Sequence, residues 1–355
     1  MAAPKHTRKM TPAFWHLALS LLPLALAAKT YRNPVLGGDV PDPGVLWAPE
    51  ISLYVAATTG CDAAGCFALH TSPDLATWAP AGYLFPAGTF PAWASSAAGL
   101  TAWAPEIHRL ASGAYVAVYV SRDGRVDRAN GPLCIGAASS AHALGPWQAT
   151  AAPLVTRPPG ACWGVIDPTV FVPPGGATSP TLVFKTDGNF CGEVTSIVSV
   201  PLTADGLNVT AGAPWRTLLQ NDAAWEGPLV EAPWVVHNAS SGYYYLFFSG
   251  SVYDKASYAI GVARSRALEG PYEKAPLNPI LHSSGASGVN YGPGHCAVVA
   301  AGGASPHGLA ILYAAEQPPS GPQRNLMLDA IVWSADGWPG VAGSVPSTST
   351  LPIPQ

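Results

Sequence analysis

A layout that recurs five times restricts this chain more than any single motif does. Each unit opens on a short segment with a polar residue beside Pro or Gly, followed by an apolar run: Pro41-Asp42-Pro43-Gly44-Val45, Ala104-Pro105-Glu106-Ile107, Ile166-Asp167-Pro168-Thr169-Val170, Val230-Glu231-Ala232-Pro233-Trp234 and Gly294-His295-Cys296-Ala297-Val298. The polar positions lie 61 to 64 residues apart. A second run of β-formers follows in every unit, at Leu53, Tyr115, Thr181, Tyr243 and Leu309. A third run ends near Ser72, Ser139, Ser199, Ser265 and Ser334, and an aromatic comes shortly after, at Trp78, Trp147, Trp215, Tyr272 and Trp338. Four short strands in each of five units predict an all-β chain folded as a five-bladed β-propeller. The period is longer than the roughly 40 to 50 residues of WD40 and kelch repeats. A stack of sandwiches would give no reason for one polar position per unit.

Composition agrees with many short strands joined by tight turns: Gly and Pro number 37 each, whereas charged residues make up only 11%, too few for the polar faces of long amphipathic helices. Residues 1–28 read as an export signal, with Lys5, Arg8 and Lys9 ahead of an apolar run and Ala25-Leu26-Ala27 as a cleavage pattern. Residues 29–355 are then one secreted, extracellular catalytic domain, expected to act as a monomer. A net charge of -4, with no Lys/Arg cluster after the signal, argues against a nucleic-acid or anionic-membrane partner and for a neutral ligand. An exported chain meets oxidising conditions, where Cys61 and Cys66 can staple one hairpin and Cys162 can meet Cys191, leaving Cys134 and Cys296 as small buried hydrophobes.

In a propeller the first strand of each blade lies innermost, so the five polar side chains are expected to converge on the axis. An axis is wet and tolerates polar residues, which is the structural explanation for any one of them. Gathering Asp42, Asp167 and Glu231, with Glu106 as a fourth acid, costs more, because like charges raise one another's pKa. Such a set is usually kept for function. Hydrolysis of a glycosidic bond needs this combination: a carboxylic acid that protonates the leaving oxygen and a carboxylate that stays ionised to act on the other face.

These segments resemble glycoside hydrolase family 43. The resemblance is carried by Tyr31-Arg32-Asn33-Pro34-Val35 leading to Asp42, by Trp103-Ala104-Pro105-Glu106, Ile166-Asp167-Pro168 and Val230-Glu231-Ala232-Pro233, by Gly292-Pro293-Gly294-His295, and by Arg324 through Trp333. It implies inverting hydrolysis of arabinofuranosyl linkages in a plant cell-wall-type polysaccharide, arabinan or arabinoxylan; a β-xylosidase or a non-catalytic carbohydrate-binding propeller are the alternatives. It implies Asp42 as the general base, Glu231 as the general acid and Asp167 as the group that tunes and orients the acid. An apolar setting from Pro233 and Trp234 would favour the protonated acid. Trp103 resembles a sugar-stacking platform, with packing between blades as its alternative. Arg324 resembles an arginine that bonds sugar hydroxyls, and Glu106 joins them as a substrate contact. His295 resembles the family's axial histidine, which approaches a calcium ion directly or through water, or else is a satisfied core histidine. Glu226 is a rival acid only five residues before Glu231, but Glu231 fits the repeat spacing and Glu226 does not.

Overall fold

The computed structural model describes residues 1–2, 29–94, 101–127, 130–176, 179–284, 291–303, 308–316 and 323–355. The expected export signal, apart from Met1 and Ala2, lies outside the described residues. Five four-stranded antiparallel sheets form among them, each in simple chain order from axis to rim. Blade 1 runs Gly44–Ala48, Leu53–Ala57, Gly65–Ser72 and Ala79–Pro86. Blade 2 runs Trp103–Arg109, Tyr115–Arg122, Leu133–Ser140 and Gln148–Ala149. Blade 3 consists of Val165–Phe171, Thr181–Thr186, Ser196–Pro201 and Arg216–Gln220. Blade 4 consists of Val230–Asn238, Tyr243–Gly250, Ala259–Ser265 and Glu273–Lys274, and blade 5 of Tyr291–Ala301, Gly308–Glu316, Arg324–Trp333 and Pro339–Val341. The five-bladed propeller expected from the repeat is therefore the fold.

The repeat's recurring residues now have physical roles. The aromatic of each unit immediately precedes the outermost strand and packs the rim: Trp215 meets Phe184 edge-on at 4.9 Å, and Trp338 lies beneath the Arg264 guanidinium at 3.9 Å. Second strands are buried almost throughout, because blades cover them on both faces, so they read as continuous apolar runs and not as alternation. Between blades 1 and 2, Phe67, Phe85, Phe90 and Tyr119 form a cluster of tilted and edge-on rings.

A ring of blades must be closed, and here the amino-terminal segment does so. Thr30–Tyr31 pairs with Leu351–Pro352, and the Val35 N–H donates to Leu326 O at 2.9 Å, alongside the third strand of blade 5. Asn33 adds a reciprocal pair with Leu328, its Nδ2 donating to the carbonyl and its Oδ1 accepting the N–H, both at 2.8 Å. Blade 5 is thus edged by two segments, this one and Pro339–Val341, which pairs with the other end of the same strand. Both expected disulfides are present, Cys61–Cys66 and Cys162–Cys191, while Cys134 and Cys296 are free and buried.

Candidate active site

One backbone feature recurs where each inner strand begins. Asp42, Ala104, Asp167, Ala232 and His295 all have φ between 46° and 53°, the left-handed region that costs a non-glycine residue about 1 kcal/mol or more. In blades 2 to 5 the register of the inner pair shifts at this place, the mark of a β-bulge. The conformation breaks the strand line at five equivalent points, and at three of them, Asp42, Asp167 and His295, the residue borders the central cavity. It also corrects the expected series. The blade 2 equivalent is Ala104, not Glu106, and in blade 4 it is Ala232, with Glu231 one residue before it.

A cavity of about 360 Å³ opens here, lined by Asp42, Asp167 and His295 from three of these points and by Glu231, Arg324 and Trp103, together with Lys185, Asp187, Tyr253 and Tyr258 among others. Asp42 Oδ1 accepts from Arg324 Nη1 at 2.7 Å and Oδ2 from Nη2 at 3.4 Å, and His295 Nδ1 lies 3.4 Å from Oδ1. Burial pushes the Asp42 carboxyl up, but the Arg324 charge, the His295 charge and a hydrogen bond from Thr59 outweigh it and hold the carboxyl below its ordinary value. Asp167 behaves oppositely. Its Oδ2 accepts a hydrogen bond from a neutral donor, the Ala232 N–H at 3.0 Å. Burial, with the Glu231 charge adding to it and His295 opposing, pushes Asp167 up to about 7.

Glu231 is clamped at both oxygens, Oε2 accepting from Lys185 Nζ at 2.9 Å and Oε1 from Tyr258 OH at 2.9 Å. This corrects the apolar setting expected from its sequence neighbours. Trp234 turns away and donates its indole N–H to Val298 O. Lys185 also pairs with Asp187 Oδ1 at 2.8 Å; burial alone would lower its ammonium, but Glu231, Asp187 and Asp167 together hold it above its ordinary value. Gly294 explains part of the Gly-Pro-Gly-His segment, since a Cβ there would fall 1.8 Å from the Tyr258 ring that reaches Glu231.

Asp42, Asp167, Glu231, Trp103, Arg324 and His295 thus meet at one site; Glu106 does not. It lies two residues beyond the bulge, buried, with Oε2 2.9 Å from His108 Nε2 and its backbone against Gly44, where a Cβ would clash at 2.8 Å. Glu106 is a contact between blades 1 and 2, not a cavity residue. Glu226 is also excluded: it is fully buried in its own turn, its Oε2 accepting the Asp222 and Ala223 N–H groups and its Oε1 ion-paired with Lys274 at 2.6 Å. Trp103 is 38% exposed at the cavity wall, as a platform requires. Two further rim aromatics were not anticipated, Phe190 at 81% and Tyr253 at 53% exposed, the latter beneath the Arg324 guanidinium at 5.0 Å. Arg324 reaches the cavity as expected, but its terminal nitrogens are engaged with Asp42.

Calcium calls for six to eight oxygen ligands. The carboxylate paired with His295 is Asp42, already held by Arg324, so a calcium ion beside His295 would draw most of its oxygen ligands from water. Among the described residues, the one cluster of three potential ligand atoms is Cys162, Cys191 and Glu193, and both cysteines are joined in a disulfide.

Comparison with known proteins agrees with this geometry. The sequence model for glycosyl hydrolases family 43 matches residues 31–339. An extracellular endo-α-(1→5)-L-arabinanase of Bacillus subtilis is 27% identical over 215 residues, which span 56% of this chain and 41% of that protein's length. A thermostable family-43 glycoside hydrolase superposes with a TM-score of 0.77 at 28% identity, over 92% of this chain and 99% of that one. An α-L-arabinofuranosidase from Lactobacillus brevis gives 0.69 at 19% identity, over 92% and 98%, and at that identity supports the fold alone.

Proposed function

Because the chain belongs to glycosyl hydrolase family 43, we propose that its axial cavity hydrolyses arabinofuranosyl linkages in arabinan or arabinoxylan, inverting the anomeric centre, outside the cell. The observation that carries this reading is three buried carboxyls, Asp42, Asp167 and Glu231, bordering one cavity in unlike settings, with Asp42 held below its ordinary value beside Arg324 and His295 and Asp167, next to Glu231, pushed up to about 7. Such a split is what an acid and a base working together need.

In this reading Asp42 takes a proton from water as the water oxygen bonds to the anomeric carbon. On the opposite face the bond to the leaving oxygen breaks, and Glu231 supplies that oxygen with its proton. Asp167, pushed up to about 7 beside Glu231, holds a proton on the acid's side of the cavity near neutral pH. His295 and Arg324 orient Asp42 and preserve its charge. Trp103, Phe190 and Tyr253 offer ring faces at the mouth on which sugars stack. The similarity to a protein named as an extracellular arabinanase favours arabinan and export, and the expected signal agrees with export. A β-xylosidase is the second reading, since a xylan β-1,4-xylosidase from Bacillus halodurans shares the fold with a TM-score of 0.71 at 20% identity, over 92% of this chain and 60% of that one.

The test is hydrolysis of an aryl α-L-arabinofuranoside, an aryl β-xyloside, linear arabinan and xylan by the mature protein, beside Glu231→Ala and Asp42→Asn. Wild-type turnover of the arabinosides, lost in both variants, is expected. Hydrolysis of none of the four substrates would overturn the function, and activity surviving both substitutions would overturn the residue roles.

A further inference from the structure

Lys185 lies on the second strand of blade 3, where every residue is buried, and is itself 1% exposed. An ammonium in that position loses its hydration, and only close partners of opposite charge offset the loss. It has two: Glu231 Oε2 at 2.9 Å, reached across the gap to blade 4, and Asp187 Oδ1 at 2.8 Å on its own blade. Asp187 opens the short turn Gly188–Cys191, which carries Asn189 and Phe190 to the cavity rim and is tied to Cys162 by a disulfide. The brace that holds the lysine therefore shares a turn with the rim.

We propose that Lys185, braced by Asp187, is a positioning residue for Glu231: it fixes the carboxyl between blades 3 and 4 and stabilises the charge left when the proton goes to the leaving oxygen. The inference rests on Glu231 being the acid. Three points support it. Lys185 and Tyr258 bond different oxygens of Glu231, so the carboxyl plane is set from two blades. The carboxylate produced by proton transfer would lie in a buried cavity beside Asp167, where a fixed cation does most for the transition state. A lysine needed only for packing would have no reason to border the cavity, and Lys185 lines it. The other titratable and charged groups that share the cavity with Glu231 are Asp167 on blade 3, the neutral Tyr258 hydroxyl on blade 4, Arg324 and His295 on blade 5, and Asp42 ahead of blade 1; Asp187 faces Lys185.

The test compares wild type, Lys185→Met and the double variant Lys185→Met/Asp187→Leu, which also removes the buried Asp187 charge that the single variant would leave without its cation, should the single variant fail to fold. On whichever glycoside the wild type cleaves, kcat falls roughly 10- to 100-fold while KM stays within about threefold. The alkaline limb of the pH profile moves to higher pH, because the Lys185 charge lowers Asp167 and removing it makes Asp167 harder to deprotonate. The same shift appears without turnover as movement of the Asp167 carboxylate infrared bands. A folded double variant with wild-type kcat, pH limb and carboxylate titration would overturn the proposal even with the glycosidase reading intact. An unmoved infrared titration would overturn it even if none of the four glycosides is cleaved.

Discussion

Glu226 and Glu231 are five residues apart, both buried, and each is paired with a lysine, yet they do different work. Glu226 closes a turn: its partners are the N–H groups of Asp222 and Ala223 within that turn, with Lys274 covering the other oxygen. Glu231 is held from outside its own segment, by Lys185 of blade 3 and Tyr258 of blade 4, and it borders the cavity. Burial and ion pairing do not distinguish a structural acid from a functional one. What does is whether the partners leave the carboxyl facing space that a substrate can enter.

The comparison breaks or sharpens under substitution. Glu231→Ala and Asp42→Asn are expected to lower kcat/KM by roughly 10² to 10⁴-fold on polysaccharide, each leaving a folded protein by circular dichroism. Wild-type activity should be lost on the alkaline side as pH rises through about 7, where Asp167 gives up its proton, and on the acid side only below the ordinary carboxylate value, where Asp42 becomes protonated. A kcat–pH profile checks both limbs. Glu226→Ala should show the reverse pattern, losing about 2 to 3 kcal/mol of stability in denaturant unfolding, with kcat per folded molecule within about threefold of wild type. Glu106→Gln should alter kcat by about threefold or less, since its carboxylate meets His108 and not the cavity. Removing divalent cations with a chelator should change the rate least, by about twofold or less, given the poor calcium donor set at His295.

Much of this was legible in the sequence, for identifiable reasons. Local punctuation and apolar runs are written residue by residue, so the five units, the inner strands at Asp42 and Asp167, and the rim aromatics could be read off. Spacing favours Glu231 over Glu226, and the structure places only Glu231 at the cavity. The same spacing argument misplaced Glu106, because the bulge falls at Ala104, and a two-residue offset in a bulge leaves no trace in a period near 64. Lys185 and Tyr258 were missed because their roles arise between segments distant in sequence, one across the gap from blade 3 and one within blade 4, 46 and 27 residues from Glu231 respectively. Lys185 did carry a signal, a charge inside the otherwise apolar strand Thr181–Thr186, which has to find a partner. Phe190 had none, since its position depends on where the turn after Asp187 sits.

The dependence of rate on leaving group tests the central claim most directly. Aryl glycosides with strongly acidic phenols need no proton from the enzyme, whereas polysaccharide linkages do. For Glu231→Ala, the account predicts a loss of roughly 10² to 10⁴-fold on polysaccharide that shrinks to about tenfold or less on a dinitrophenyl glycoside, with Glu226→Ala nearly unchanged on both. An equal loss on both substrates for Glu231→Ala, or the leaving-group pattern appearing in Glu226→Ala, would contradict it.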